Sequence, residues 1–466
     1  MKTLHYASIA EIRESVVTKR LSPMEVATAH LERIEALQPK LNAFVHFDAE
    51  AALEQARRAE ETLRSGDAAG PLLGVPITLK SCIDVAGWPC PAGSLLRKDY
   101  IAEADATLTA RLRAAGAILL GSTNTPEFLM AYETDNLTSG QTSNPWDLSR
   151  SAGGSSGGEA AAIASGCSAG GVGSDGGGSV RVPAHFCGIC GLKPTPGRIP
   201  STGHFPAGVG AFSWIGVVGP MARTIADVRA LFQVMAGPDP GDALSAPVPV
   251  TAVNDAQLKD LRVGILESDA LGKVDAETAA ALQRAANHLA AEGFVVEQQP
   301  LEGLERAIEL WWFFFGPAIA HLFGPTVAGH EDELSDIFRE YMRFAEAPVT
   351  LDALLTACAE RDMLRANILR QMRDVPILLS PVSATTAFRH GEGTWRPGAK
   401  QCYRDTMRLS QWLNLTGFPG ASVPVSVSAG LPIGVQVIGR PHEEELVLAV
   451  AERIENGRGP WRSPLA

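Results

Sequence analysis

GSDGGGSVRVP, residues Gly173–Pro183, sets three consecutive glycines directly before a serine. Such a run costs much backbone entropy on folding. A chain accepts that cost where the main chain itself must approach something. Without Cβ atoms, successive N–H groups can turn toward one point and form a nest for an anion. A serine closing the nest, Ser179, can attack a carbonyl carbon while neighbouring N–H groups receive the developing oxyanion. Asp175 and Arg181 flank the loop with opposite charges and are expected to brace its ends.

Two other fingerprints overlap this region. Gly171, Gly173 and Gly176 satisfy G-x-G-x-x-G. A dinucleotide site would need a helix next and an acidic residue about 20 positions on. Here Pro183 interrupts, and no Asp or Glu stands between Asp175 and Asp227, so that reading fails. No G-x-x-x-x-G-K-[ST] lies nearby, and the phosphate-loop reading fails with it. Gly153-Gly154-Ser155-Ser156-Gly157 satisfies G-x-S-x-G, the nucleophile elbow of α/β-hydrolases. On that alternative Ser155 is the nucleophile, with an acid and a histidine downstream. His321, His330, His390 and His442 are available, none with a local signature.

A serine nucleophile needs a base. In GVPITLKSCIDVAG, Lys80 closes the apolar strand-like run Val75–Leu79. A lysine desolvated there has a lowered pKa and can sit neutral as a base. The competing reading is a strand-end lysine that snorkels to water.

The 466 residues are 45% hydrophobic and 20% charged, ordinary values for a soluble globular protein. A net charge of −12 disfavours phosphate backbones, so no nucleic-acid partner is expected. Glu11 and Glu14 stand where a signal peptide would carry its apolar region. No window approaches 18 uninterrupted apolar residues, so no membrane association is expected. Seven scattered cysteines suggest reduced thiols and a cytoplasmic location. Cys187 and Cys190 form a C-x-x-C without a matching pair or flanking histidines, which reads as packing and not as a metal site.

Along the chain, Ser22, Pro23 and Glu25 announce a helix with a capping box and the apolar positions Met24, Ala27, Leu31 and Ile34. The stretch 105–121 predicts a helix stopped by Gly116 and then a strand at 117–120. The stretch 261–297 predicts strand, helix capped by Asp275, stop at Gly293, and strand. EAAAIA, from Glu159, predicts a helix, and AGGVG, from Ala169, a tight small-residue strand. The rhythm is that of an α/β fold with a parallel or mixed sheet. Residues 237–256 form a Pro/Ala/Asp-rich connection. Trp311, Trp312, Phe313, Phe314 and Phe315 read as core or as the wall of an apolar cleft. A membrane-surface helix would pair such aromatics with basic residues, which are lacking here.

Taken together, these motifs resemble those of the amidase signature family. AGGSSGGEAAAIASG followed by GSDGGGSVRVPAHFCGICGLKPTPGR is similar to its signature, and GVPITLKSCIDVAG to its lysine motif. ATLTARLRAAGAILLGSTNTPEF and LNLTGFPGASVPV with GLPIGVQVIGRPHEE extend the likeness. It covers nearly the whole chain and is weakest between about 240 and 400. The resemblance implies one amidase domain over 1–466. Its signature core spans about 65–220, a variable pocket region about 240–400, and the C-terminal part of the same sheet about 400–466. It implies an α/β/α sandwich with a large central mixed sheet flanked by helices.

The resemblance further implies a catalytic triad of Lys80, Ser155 preceded by a cis peptide, and the nucleophile Ser179. The N–H groups of Gly176, Gly177, Gly178 and Ser179 fall on the family's oxyanion hole, with Ser156 in the supporting loop. Family members commonly carry Thr or Ile where this chain has Gly176. No cofactor or metal is implied. The expected substrate is a small-molecule amide, with Phe128, Met130 and Tyr132 expected near the scissile bond. Aromatic residues in the variable region suggest an apolar acyl or aryl group, hence anilides, esters or carbamates. The alternative is the glutaminase subunit of a tRNA-dependent amidotransferase. A monomer and a homodimer are both compatible with the sequence.

Overall fold

A computed structural model describes residues 4–266, 271–459, 461 and 463–465. Its centre is an 11-stranded mixed sheet. The strands, in chain order, begin with β1 (Phe44–Phe47), β2 (Pro76–Lys80) and β3 (Ile118–Thr123). A small separate hairpin follows, β4 (Ser143–Asn144) with β5 (Asp147–Ser151). The sheet continues with β6 (Gly170–Asp175), β7 (Cys190–Lys193), β8 (Val217–Ala222), β9 (Arg262–Ile265) and β10 (Val295–Gln298). It ends with β11 (Ile377–Pro381), β12 (Gly420–Ser428) and β13 (Leu431–Ile438). Their spatial order is β1-β3-β2-β6-β8-β7-β12-β13-β11-β9-β10. β2 runs parallel to β3 and to β6, whereas β6 and β8 are antiparallel.

Local chemistry accounts for these elements. Ser22 and Glu25 close a reciprocal capping box on the helix Pro23–Leu41, a device worth about 1 kcal/mol. Its buried side includes Val26, Ala27, Leu31, Ile34, Leu37 and Leu41, while Met24 lies at the margin. Gly116 takes φ +88 after the helix Thr107–Ala114 and turns the chain into β3. Gly293, at φ +94, ends the helix Ala276–Ala291 as anticipated, but Asp275 occupies the N-cap without accepting a side-chain hydrogen bond. β2, β6 and β8 are buried along their whole length, as strands covered by helices on both faces must be.

The small residues between Ser155 and Ser179 have a packing reason. A Cβ on Gly171 would overlap Glu159 Oε1, and one on Gly173 would meet Ser156 Oγ at 2.6 Å. The helix Gly157–Ala164 is therefore pressed onto β6 with every residue buried. All seven cysteines are free. Cys187 and Cys190 are buried, and their thiols face the carbonyls of Ala152 and Arg223.

The aromatic run lies in a helical stretch, Leu304–Val327, apolar and long enough by composition to cross a membrane. Trp311, Phe314, Phe315 and Ile319 are nonetheless buried, packed in the cluster that contains Phe338, Tyr341 and Trp395. Around Pro317 the helix relaxes into a π-turn, Phe314–Ala318. Such turns occur mostly as single-turn insertions within α-helices, frequently at functional sites.

Candidate active site

Lys80 stands at the last position of β2, paired with Thr123 of β3 and wholly buried. It does not reach water. Its Nζ lies 2.5 Å from Ser155 Oγ and 3.1 Å from Ser174 Oγ. Desolvation lowers its pKa to about 8, against the smaller opposing influence of Cys82, Asp175 and Glu159. Glu159 is itself pushed up to about 8 by burial, with Thr78 and Thr123 donating to it. A lysine so placed loses its proton more easily than an exposed one, and the lone pair of its neutral form can accept the Ser155 proton.

Ser155 follows a cis peptide bond from Gly154. Its carbonyl accepts from Thr125 Oγ1 at 2.8 Å. Gly154 leaves no room for a side chain, since a Cβ would meet Ala131 O at 2.7 Å and Glu133 N at 2.8 Å. The next N–H, of Ser156, donates to Ser179 O at 3.2 Å. Ser156 Oγ lies 3.3 Å from both Ser174 O and Ser174 N. This serine-rich loop is thereby tied to both ends of the glycine loop. No histidine bonds to Ser155 among the described residues, and His390 pairs instead with Glu133. The hydrolase-elbow alternative thus lacks its base.

Asp175 organises the loop that carries Ser179. Its Oδ1 accepts from Gly178 N at 2.7 Å and Arg181 Nη2 at 3.0 Å, and its Oδ2 from Val180 N at 3.1 Å and Arg181 Nε at 3.0 Å. Burial alone would raise this carboxyl, but the Arg181 guanidinium beside it and the Asn414 amide hold it well below the usual carboxylate range. Both side chains of the pair are 0% exposed. Arg181 is saturated further by Gln436 Oε1 at 2.8 Å, Asn414 Oδ1 at 2.7 Å and Ser410 O at 3.1 Å. A buried ion pair is tolerated when its remaining lone pairs and protons are satisfied in this way.

This geometry departs from the sequence expectation at one donor. The Gly178 N–H is consumed by Asp175 and does not face a substrate. The N–H groups of Gly176, Gly177 and Ser179 have no acceptor among the described residues. Ser179 Oγ likewise has no partner among them. Its side chain lies in a small cavity that Ser155, Asp175 and Gly176 also line.

The cavity wall is apolar: Leu129, Met130, Phe212, Val217 and Phe315, with the ring of His204. Burial lowers the pKa of His204 to about 4, so it is neutral. Of the three residues expected near the scissile bond, Met130 lines this cavity. Phe128 does not; it stacks on Phe323 at 5.0 Å inside the aromatic core. Tyr132 does not line it either, and donates to Gly177 O at 2.7 Å from behind the loop. Sequence reasoning missed Ser174, His204, Asn414 and Gln436. Ser174 offered no pattern signal, since alternation groups it with Gly170 and Val172, which pair with Ile77 and Leu79 and not with Lys80. Asn414 and Gln436, more than 200 residues from Asp175, offered no local signal.

Comparison with known proteins bears on this arrangement. A family model described as Amidase matches residues 25–448. A glutamyl-tRNA(Gln) amidotransferase subunit from Carboxydothermus hydrogenoformans is 34% identical over 479 residues, covering 97% of each chain. A solved 6-aminohexanoate cyclic dimer hydrolase bound to substrate has TM-score 0.86 and 31% identity, covering 99% of each chain. A bacterial aryl acylamidase has TM-score 0.86 and 27% identity, covering 97% of this chain and 96% of its own.

Proposed function

From the premise that this chain belongs to the amidase family, whose members act on C–N bonds, we propose that it is a free-standing serine hydrolase of carboxylic amides with apolar or aryl substituents. The carrying observation is the buried Lys80 set 2.5 Å from Ser155 Oγ beside a cavity that also holds Ser179. Neutral Lys80 takes the proton of Ser155 as Ser155, which lines the same cavity as Ser179 and comes within hydrogen-bond reach of it on substrate binding, takes the proton of Ser179, and Ser179 Oγ adds to the amide carbon. The carbonyl electrons pass to oxygen, which the free N–H groups of the glycine loop stabilise. The proton returns through Ser155 to the leaving nitrogen, the C–N bond breaks, and an acyl-enzyme remains. Water then repeats the relay to release the carboxylate.

The choice of substrate class rests on the cavity lining. Among the described residues that line it, the one charged side chain is Asp175, already committed to Arg181 and the loop N–H groups. A zwitterionic amino acid would find no free counter-charge there. Aryl amides, anilides and carbamates fit better.

The likeness to amidotransferase subunits favours a second reading, glutamine hydrolysis in the service of a partner. The two separate on a panel of p-nitroanilides, simple amides, aryl carbamates and glutamine, assayed with the isolated chain. Anilide or carbamate turnover that Ser179→Ala abolishes supports the first reading. Turnover of glutamine alone would replace it with the second. A serine-directed phosphonate should label the wild type and leave Ser179→Ala unlabelled.

A further inference from the structure

The oxyanion loop is held from behind by two aromatic side chains that belong to distant segments. Trp311 Nε1 donates to Gly176 O at 2.9 Å, and Tyr132 Oη donates to Gly177 O at 2.7 Å. Both aromatic donors are buried. Gln411 Nε2 donates to Tyr132 Oη at 3.3 Å, which leaves the phenol proton for the Gly177 carbonyl. Trp311 is fixed by a parallel stack on Phe315, with centroids 4.5 Å apart and planes 16° apart.

In a planar trans peptide the C=O and the following N–H point in opposite directions. Anchoring Gly176 O on Trp311 therefore turns the Gly177 N–H the other way, away from the indole. Anchoring Gly177 O on Tyr132 turns the Gly178 N–H toward Asp175 Oδ1, where it is bound at 2.7 Å. That second peptide is pinned at both edges, and the first is pinned through its oxygen alone. A Cβ at Gly177 would meet Trp311 Cζ2 at 2.5 Å and Tyr132 Oη at 2.6 Å, so the two donors close on the same glycine.

We propose that Trp311 and Tyr132 are positioning residues for the oxyanion hole: by fixing the Gly176 and Gly177 carbonyls behind the loop, they aim the Gly177 N–H at the substrate oxygen. This inference rests on Ser179 being the nucleophile. It also gives the aromatic run a function beyond core packing.

The test uses Trp311→Phe and Tyr132→Phe, which keep a ring in place and delete the donor. Loss of a whole oxyanion donor costs about 10²–10³ in kcat. Each variant should lose about tenfold in kcat with KM nearly unchanged, because the aim of the donor matters most when negative charge develops. Affinity for an aryl trifluoromethyl ketone, which forms a tetrahedral adduct, should fall by the same factor as kcat/KM. Affinity for the carboxylate product should not change. If both variants keep kcat/KM and ketone affinity within about twofold of wild type, the inference fails. It also fails if kcat falls while ketone affinity stays, since the effect is then one of general packing. Phosphonate labelling separates the two levels: labelling that survives in Ser179→Ala overturns the nucleophile assignment itself, whatever the aromatic variants do.

Discussion

On the proposed mechanism, the pH dependence of acylation follows from one buried amine. Lys80 must be neutral to accept a proton, and burial lowers its pKa from 10.5 to about 8. That shift corresponds to about 3 kcal/mol against the charged form. The sign is that of a depressed base: the active, neutral form dominates above the folded value and is lost as pH falls through it. At neutral pH about a tenth of the molecules then hold a competent base, against roughly one in three thousand for an unperturbed lysine. The expected profile of kcat/KM on a p-nitroanilide rises about tenfold per unit up to about pH 8 and then levels. Lys80→Arg keeps the charge but cannot deprotonate in this range, and should lose about 10³-fold or more at every pH. A profile flat from about pH 5 to about pH 9, or a rising limb only above about pH 10, would refute the assignment of Lys80 as the base.

Three further perturbations probe the frame around it. Glu159 acts on Lys80 by raising its pKa, so Glu159→Gln should move the rising limb toward lower pH while the plateau persists. Arg181→Met leaves the Asp175 carboxylate buried and unpaired, and denaturant unfolding should show a loss of about 3–5 kcal/mol. At Gly176, a Cβ would meet only the Phe315 ring at 3.4 and 3.9 Å. Gly176→Ala should therefore fold normally and keep activity within about threefold, whereas Gly176→Ile should cut kcat/KM for bulky aryl amides more than for acetamide.

Much of the site was legible in the sequence because its chemistry is local to the backbone. The run Gly176–Ser179 and the Gly153–Ser156 loop are contiguous stretches whose composition limits what their main chains can do. Lys80 was legible as a candidate because an apolar strand ends on it, but the strand pattern alone left open whether it reaches water. The sheet decides that, with β3 and β6 flanking β2 so that the amine meets Ser155 and Ser174. The pocket was the least legible part. Phe128, Met130 and Tyr132 were expected together near the scissile bond, yet Phe128 sits at φ +48 and the three side chains go to core, cavity and glycine loop.

By itself, the sequence determined the alternating α/β rhythm, the two serine-bearing glycine loops and the candidate lysine, since each is written in a contiguous stretch of chain. The tertiary structure decided which peptide hydrogens remain free, what neutralises Asp175, and which aromatics line the cavity. Those outcomes depend on hydrogen bonds between segments hundreds of residues apart. A donor such as Trp311 or Asn414 carries no local mark of the acceptor that folding brings to it.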